Sequence, residues 1–353
     1  MGIRGLFSKI STFSPNSIKI RSLESYQGSK IAIDAEILIH KYRHNRHYKK
    51  IIKESYNENN IYYLYPLINT IILFLKNGII PVYVFDGIPS NQKKEYCLLK
   101  RSFIREKNKS LIKILENALE EASDNDKREE IIEKLLLCKN KIITKEYREE
   151  FKYILNILGV PIIHASGDAE KTCVHLVSQG YCDYVYSDDS DSIVYSIGSG
   201  SYRVTGSDSV TGSDSVLESV FFPKILRSFN KNKIGIHYFT EINPETILRD
   251  FVGREDIHKS DMSNFIRYCI GLGCDFTRDP LQYELSEEEI NDAFRLFTEK
   301  EEIVTSHREC YLRKINTFEI YDYLTKIGIN SFFVTNFIKA YNKYISSDFR
   351  KEN

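Results

Sequence analysis

Apolar runs that stop on an acid constrain this chain more than any other feature. Lys30–Asp34 reads KIAID, Ile79–Asp86 reads IIPVYVFD, and Cys182–Asp191 reads CDYVYSDDSD. The first two are nearly continuous in apolar residues, as strands buried on both faces are. Pro161–His164 supplies a further short strand, followed by ASGDAE. Helical patterns separate the strands. One follows Asp34 through Ile37, Leu38 and His40, and one runs from Ile61 to Asn77 and stops at Gly78. A third starts at a Ser166 or Asp168 cap and runs to Gln179, with Gly180 as its stop. Strand–helix alternation of this kind predicts an α/β fold with a mainly parallel central sheet flanked by helices. Ligands bind beyond the carboxyl ends of the strands in such sheets, where these acids lie.

Asp188, Asp189 and Asp191 crowd one strand end. Acids that close repel one another unless water or a cation separates them. Hard oxygen ligands suit Mg²⁺ or Mn²⁺, and a solvated acidic turn is the plain alternative. Asp168 and Glu170 start a helix, where the dipole favours carboxylates with or without a ligand.

Between His40 and Lys53 lie Lys41, Arg43, Arg46, Lys49, Lys50 and Lys53, interleaved with Tyr42 and Tyr48 and with no acid. Basic and aromatic residues together suit a surface that tracks phosphates and stacks bases. Gln92 to Leu158 is long, charged and helical. Its start is basic, with Lys93, Lys94, Lys100, Arg101, Arg105, Lys107, Lys109 and Lys113, and a break at Ser123–Asn125 predicts two antiparallel helices. It reads either as a bundle spacer or as a basic arch over the acidic strand ends.

Whole-chain properties exclude several classes. The 353 residues carry 49 basic and 49 acidic side chains, which argues against indiscriminate coating of nucleic acid but leaves room for a local basic face. Seven cysteines without a CxxC pair suggest a reducing compartment and no zinc ribbon. No run is long enough to span a membrane. MGIRGLFSKI lacks the apolar core of a signal peptide, and Leu6 breaks the myristoylation pattern. The expected location is intracellular, with nucleus and cytoplasm both open. Val204–Ser209 (VTGSDS) is repeated at once by Val210–Ser215, which reads as an enlarged surface loop. Asp208 and Asp214 in that loop are not expected to bind metal. Pro244–Phe251 and Asp261–Leu272 look helical, and GLGCDF then presents Asp275.

Taken in order, MGIRGLFSKI, the IAID of Asp34, the PVYVFDG of Asp86, the ASGDAE of Asp168 and Glu170, the SDDSD of Asp189 and Asp191, and the GLGCDF of Asp275 resemble the flap endonuclease/XPG family of structure-specific 5′ nucleases. The likeness covers about residues 1–280. It implies a PIN-like 5′ nuclease core in two regions, 1–90 and 159–280, a helical arch or gateway at 91–158, and a C-terminal helical region at 281–353. It also implies two Mg²⁺ ions, with Mn²⁺ as a substitute. Asp34, Asp86, Asp168 and Glu170 would serve one ion, and Asp189, Asp191 and Asp275 the other, with Glu170 able to sit between them. Arg101 and either Lys93 or Lys94 match basic residues that face the scissile phosphate. Arg105 would add a phosphate contact, and Gly2 would lie close to the site. His40 stands where the family has a stacking Tyr; with Tyr42, Arg43 and Arg46 it would contact nucleic acid.

The implied activity is endonucleolytic cleavage of 5′-flap DNA by a monomer in replication, repair or recombination. A 5′→3′ exonuclease on DNA or RNA is the alternative within the fold. A non-catalytic scaffold is the alternative outside it, although that reading predicts lost acids and all seven positions are acidic. Three further departures stand out. Asp168 replaces the usual Glu. TRDPLQYELSEEEI after Asp275 lacks the glycines of the family's potassium-binding helix–two-turn–helix. The sliding-clamp motif is degenerate, because Lys326–Phe333 (KIGINSFF) keeps the apolar spacing but has Lys at the Gln position and reads better as core.

Overall fold

The computed structural model describes residues 2–44, 64–87, 94–139, 145–202, 220–277, 280–281, 283–299 and 307–346. Helix α1 (Leu6–Phe13) leads into strand β1 (Ile18–Ser22), β2 (Lys30–Asp34) and α2 (Ala35–His44). Then come α3 (Leu64–Lys76), β3 (Ile80–Phe85), and three helices, α4 (Lys94–Glu121), α5 (Asn125–Lys139) and α6 (Lys145–Ile157). Strand β4 (Ile162–His164), α7 (Ala169–Ser178), β5 (Tyr184–Tyr186) and α8 (Asp191–Gly198) follow. A small pair, β6 (Ser201–Tyr202) and β7 (Val220–Phe221), precedes the hairpin of β8 (Ile225–Lys231) and β9 (His237–Ile242). Five α-helices follow among the described residues: α9 (Pro244–Val252), α10 (Lys259–Leu272), α11 (Glu287–Thr298), α12 (Thr317–Lys326) and α13 (Ser331–Ser346).

The main sheet has the order β1-β9-β8-β5-β2-β3-β4. Strands β8, β5, β2, β3 and β4 are parallel, and β9 and β1 close one side antiparallel. Every residue of β2 and β3 is buried, which explains their unbroken apolar sequence. Edge strand β1 instead exposes Lys19, Ile20 and Arg21, and charge on an edge discourages further pairing. The parallel register brings Asp34, the residue after Phe85, and the residue after Tyr186 to one edge of the sheet.

Two helices were expected between Gln92 and Leu158, and the described residues hold three. Helix α6 separates from the others because it is amphipathic. It buries Phe151, Ile154 and Leu155, and Phe151 meets Tyr83 and Phe85 of β3 edge-on at 5.9 and 6.0 Å. The α4–α5 turn is closed by Arg128, whose Nη1 donates to the Leu119 and Ala122 carbonyls at 2.9 and 2.8 Å. The C-terminal helices return to the core, where Tyr65 at the start of α3 stacks edge-on with Phe333 at 5.0 Å and donates to the Gly328 carbonyl. Within the Lys326–Phe333 segment Ile329 is buried, whereas Phe332 is exposed.

Candidate metal centre

Four acids meet where β2, β3 and α7 converge. Asp34 ends β2, is 2% exposed, and accepts the Glu36 and Ile37 amides at 3.0 and 3.4 Å, so it also caps α2. Asp86 follows β3 and accepts the Ala169 amide at 2.9 Å, which joins that strand end to the start of α7. The N-cap position of α7 is Asp168, yet its side chain makes no capping bond; its Oδ2 accepts from the Tyr195 hydroxyl at 3.1 Å. Asp86, Asp168 and Glu170 each offer a carboxylate oxygen within 4.8 Å of the others. Burial first, then Glu170 and Asp86, push the Asp34 carboxyl well above the ordinary range.

A second set lies beyond β5. Burial raises the Asp189 carboxyl, with Asp275 adding to the shift and the Asp191 amide opposing it. Asp191 begins α8 and is buried. Among the described residues these three do not converge as tightly as the first set. Tyr195 of α8 lies between the sets. Burial pushes its phenol well up, and Asp191, Glu170 and Asp189 add to that shift. Gly2 packs against the second set, since a Cβ there would lie 1.8 Å from Asp189 Oδ1 and 2.6 Å from Ser190 Oγ. The Arg4 amide donates to the Gly273 carbonyl at 3.1 Å, tying the N-terminal segment to the loop that carries Asp275.

Other residues read from the sequence fall elsewhere. Tyr42 is a correction. It is 7% exposed and donates to Thr70 Oγ1 at 2.9 Å, because it continues the Leu38–Ile39 apolar face of α2 into the core. His40 is partly exposed on the same helix, and Arg105 is exposed on α4. Lys93 and Arg46 lie outside the described residues, as do the side chains of Arg43, Lys94 and Arg101. The 204–215 repeat also lies outside them.

No sequence motif marks Glu36, Arg148 or Tyr195, which the structure brings to the site. Glu36 sits two residues after Asp34 and receives Arg148 Nε of α6 at 2.6 Å. Burial raises the Glu36 carboxyl, and Arg148 works against that shift. Tyr195 was findable in principle, since it lies one helical turn after Asp191 on the same face.

The donor set fits a hard divalent cation. All of its ligands are carboxylate oxygens, and at 4.8 Å two unit charges repel by about 3.5 kcal/mol at an effective dielectric constant of 20. A mixed α/β sheet with such a cluster at the C-terminal edge of its parallel strands is suited to hold a divalent cation and, with it, to hydrolytic chemistry. Residues 1–108 match the XPG N-terminal domain and residues 159–275 the XPG I-region, and the chain belongs to the flap endonuclease/XPG family of 5′ nucleases.

Among curated relatives, flap endonuclease 1 of Theileria parva is 34% identical over 199 residues, 55% of this chain and 38% of that protein. Flap endonuclease 1 of Cryptosporidium muris is 30% identical over 280 residues, 78% of this chain and 52% of that protein. The chain thus spans about a third to a half of the length of these relatives. The fold matches flap endonuclease-1 from Methanococcus jannaschii with a TM-score of 0.60 at 18% identity, covering 96% of this chain and 98% of that one. It also matches human GEN1 in complex with Holliday junction DNA, with a TM-score of 0.60 at 13% identity, covering 98% and 78%. No described helix is long and apolar enough to cross a membrane.

Proposed function

We propose that this chain is a Mg²⁺-dependent structure-specific 5′ nuclease that hydrolyses phosphodiester bonds in DNA carrying a 5′ flap. The convergence of Asp86, Asp168 and Glu170 beside buried Asp34 is the observation that carries this reading. Asp34, Asp86, Asp168 and Glu170 would hold one ion, and Asp189, Asp191 and Asp275 a second. Bound divalent ions supply a water of lowered pKa and offset charge on the phosphoryl oxygens. The chain's own residues set the geometry. Tyr195 orients Asp168, the Ala169 amide fixes Asp86, and the Glu36 and Ile37 amides fix Asp34. Arg101, with Lys93 or Lys94, would neutralise the scissile phosphate, and Arg105 would guide the single strand along α4. His40 would stack on a base near the cut.

A mainly exonucleolytic action is the second reading, and helix α11 favours it. Its first turn carries Glu287, Glu288 and Glu289, and a Ser286–Glu289 capping box engages the Ser286 and Glu289 amides. Such a terminus repels duplex phosphates instead of capturing them. The test is cleavage of a 5′-labelled flap substrate beside single-stranded and blunt duplex DNA, with Mg²⁺ and with EDTA. One discrete flap product in Mg²⁺ alone is expected. A ladder of short products from the 5′ end supports the exonuclease, and no cutting with Mg²⁺ or Mn²⁺ sinks both readings.

A further inference from the structure

The acid run SDDSD places Asp188 beside the proposed ligand Asp189, but the two side chains meet different surroundings. Asp188 Oδ1 accepts the Ser228 amide at 2.7 Å, and Oδ2 accepts Lys41 Nζ at 3.1 Å. The Asp188 carbonyl accepts from Arg227 Nη2. These donors come from α2 and β8, and each is itself held in place. Lys41 also donates to the Tyr186 hydroxyl at 3.1 Å. The Arg227 guanidinium lies 4.7 Å from the ring centroid of Phe7 on α1. Ser228 has φ +52°, the only positive φ at a non-glycine among the described residues, and sits in the register irregularity between Arg227 and Asn230. A bulge re-aims backbone and side chains, and this one points an amide at Asp188. The next residues are fastened as well: the Asp189 amide donates to Ser187 Oγ at 3.1 Å, and Ser192 Oγ donates to the Asp189 carbonyl at 2.6 Å.

We propose that Asp188 is a positioning residue. Its clamp to Lys41, Arg227 and Ser228 sets the turn that presents Asp189 and Asp191, and Asp188 is not itself a ligand. The assignment rests on the metal-centre reading above. Lys41 lies on α2, whose N-terminus is capped by Asp34, so the clamp also fixes the second acid set relative to the first. Two cations beside Asp188 further offset the negative charge gathered nearby. Groups that orient ligands from behind change metal affinity about 10–100-fold when lost.

The test is Mn²⁺ titration of the full metal-free chain by calorimetry, with thermal melting recorded on the same samples. Asp188→Ala and Asp188→Asn are expected to weaken Mn²⁺ binding about 10–100-fold while the number of ions bound stays that of the unaltered chain. Asp189→Asn is the ligand control and is expected to lose an ion. Lys41→Met, which leaves Asp188 in place, is expected to weaken binding in the same direction as Asp188→Asn and serves if the Asp188 variants fail to fold. Unchanged affinity in the Asp188 and Lys41 variants overturns the clamp, and loss of a whole ion from Asp188→Ala makes Asp188 a ligand and overturns it too. Failure of the unaltered chain to bind Mn²⁺ overturns the metal-centre reading, and the clamp with it.

Discussion

Replacing Asp86 with Asn should stabilise the metal-free protein while weakening its response to cations. Asp86, Asp168 and Glu170 present oxygens within 4.8 Å of one another, so Asp86 takes part in two repulsive pairs. Each pair costs about 0.9 kcal/mol at the dielectric constant of water and about 3.5 kcal/mol at an effective value of 20. Asp86 is exposed, which places the pairs near the lower figure. Asn keeps an oxygen to accept the Ala169 amide, so the hydrogen bond survives and only the charge goes. Relief of two pairs is then about 2 kcal/mol. With an unfolding entropy of about 2.1 cal/mol/K per residue over 353 residues, the melting temperature in EDTA and low salt should rise by about 3 °C. The same substitution replaces an anionic oxygen of the proposed site with a neutral one. The further rise on adding millimolar Mg²⁺ or Mn²⁺ should therefore shrink, and flap cleavage should fall with it. Differential scanning fluorimetry with and without cation reads both effects. An Asp86→Asn protein that melts no higher in EDTA, or that gains as much from Mn²⁺ as the unaltered chain, rules out repulsion and cation sharing among these three carboxylates.

Other consequences are as direct. Gly2→Ala puts a Cβ on Asp189 Oδ1 at a residue with φ +85°, and the N-terminal segment can relieve both by moving aside; cleavage at limiting Mg²⁺ should fall while the melting temperature holds, and equal activity across an Mg²⁺ titration counts against close approach. Asp34 binds its proton more tightly folded than unfolded, because burial and then Glu170 and Asp86 raise its carboxyl. Its penalty is thus absent below the unfolded value, about 3.9, and complete above the raised folded value, so metal-free stability should drop as pH climbs through that window. Asp34→Asn should flatten the slope in urea melts, and stability that climbs with pH instead contradicts the assignment. Arg148→Ala leaves the Glu36 carboxylate, 14% exposed, without its guanidinium and should cost about 1–3 kcal/mol, while a second change of Glu36→Gln recovers most of it; equal urea midpoints for the single and double variants would show the pair to be idle.

How far the sequence could be read depended on what each residue faces. The central strands were legible because burial on both faces leaves a nearly unbroken apolar run in β2 and β3. Strands β1, β8 and β9 were not. IKIRS is exposed along most of an edge, and ILRSFNK loses its burial toward Lys231, so neither carries an alternation long enough to stand out. Tyr42 shows a signal that was present but outweighed. Its basic neighbours suggested a surface, while Leu38 and Ile39, four and three residues before it, already marked the buried face of α2.

The acids carry the sharper lesson. Asp188 and Asp189 are chemically identical neighbours, and no property of the run SDDSD separates them. Both lie in the bend that follows β5, where no strand alternation assigns either one a face. The choice was made by Lys41 and by the Ser228 bulge, 147 and 40 residues distant in the chain. Asp168 follows the same logic, for its N-cap position predicts a capping bond, yet a phenol 27 residues away takes the carboxylate instead. Motif spacing therefore locates a carboxylate to within a residue. Whether it binds, caps or clamps is set by the donors that other elements bring to it, and those donors are what the proposed substitutions alter.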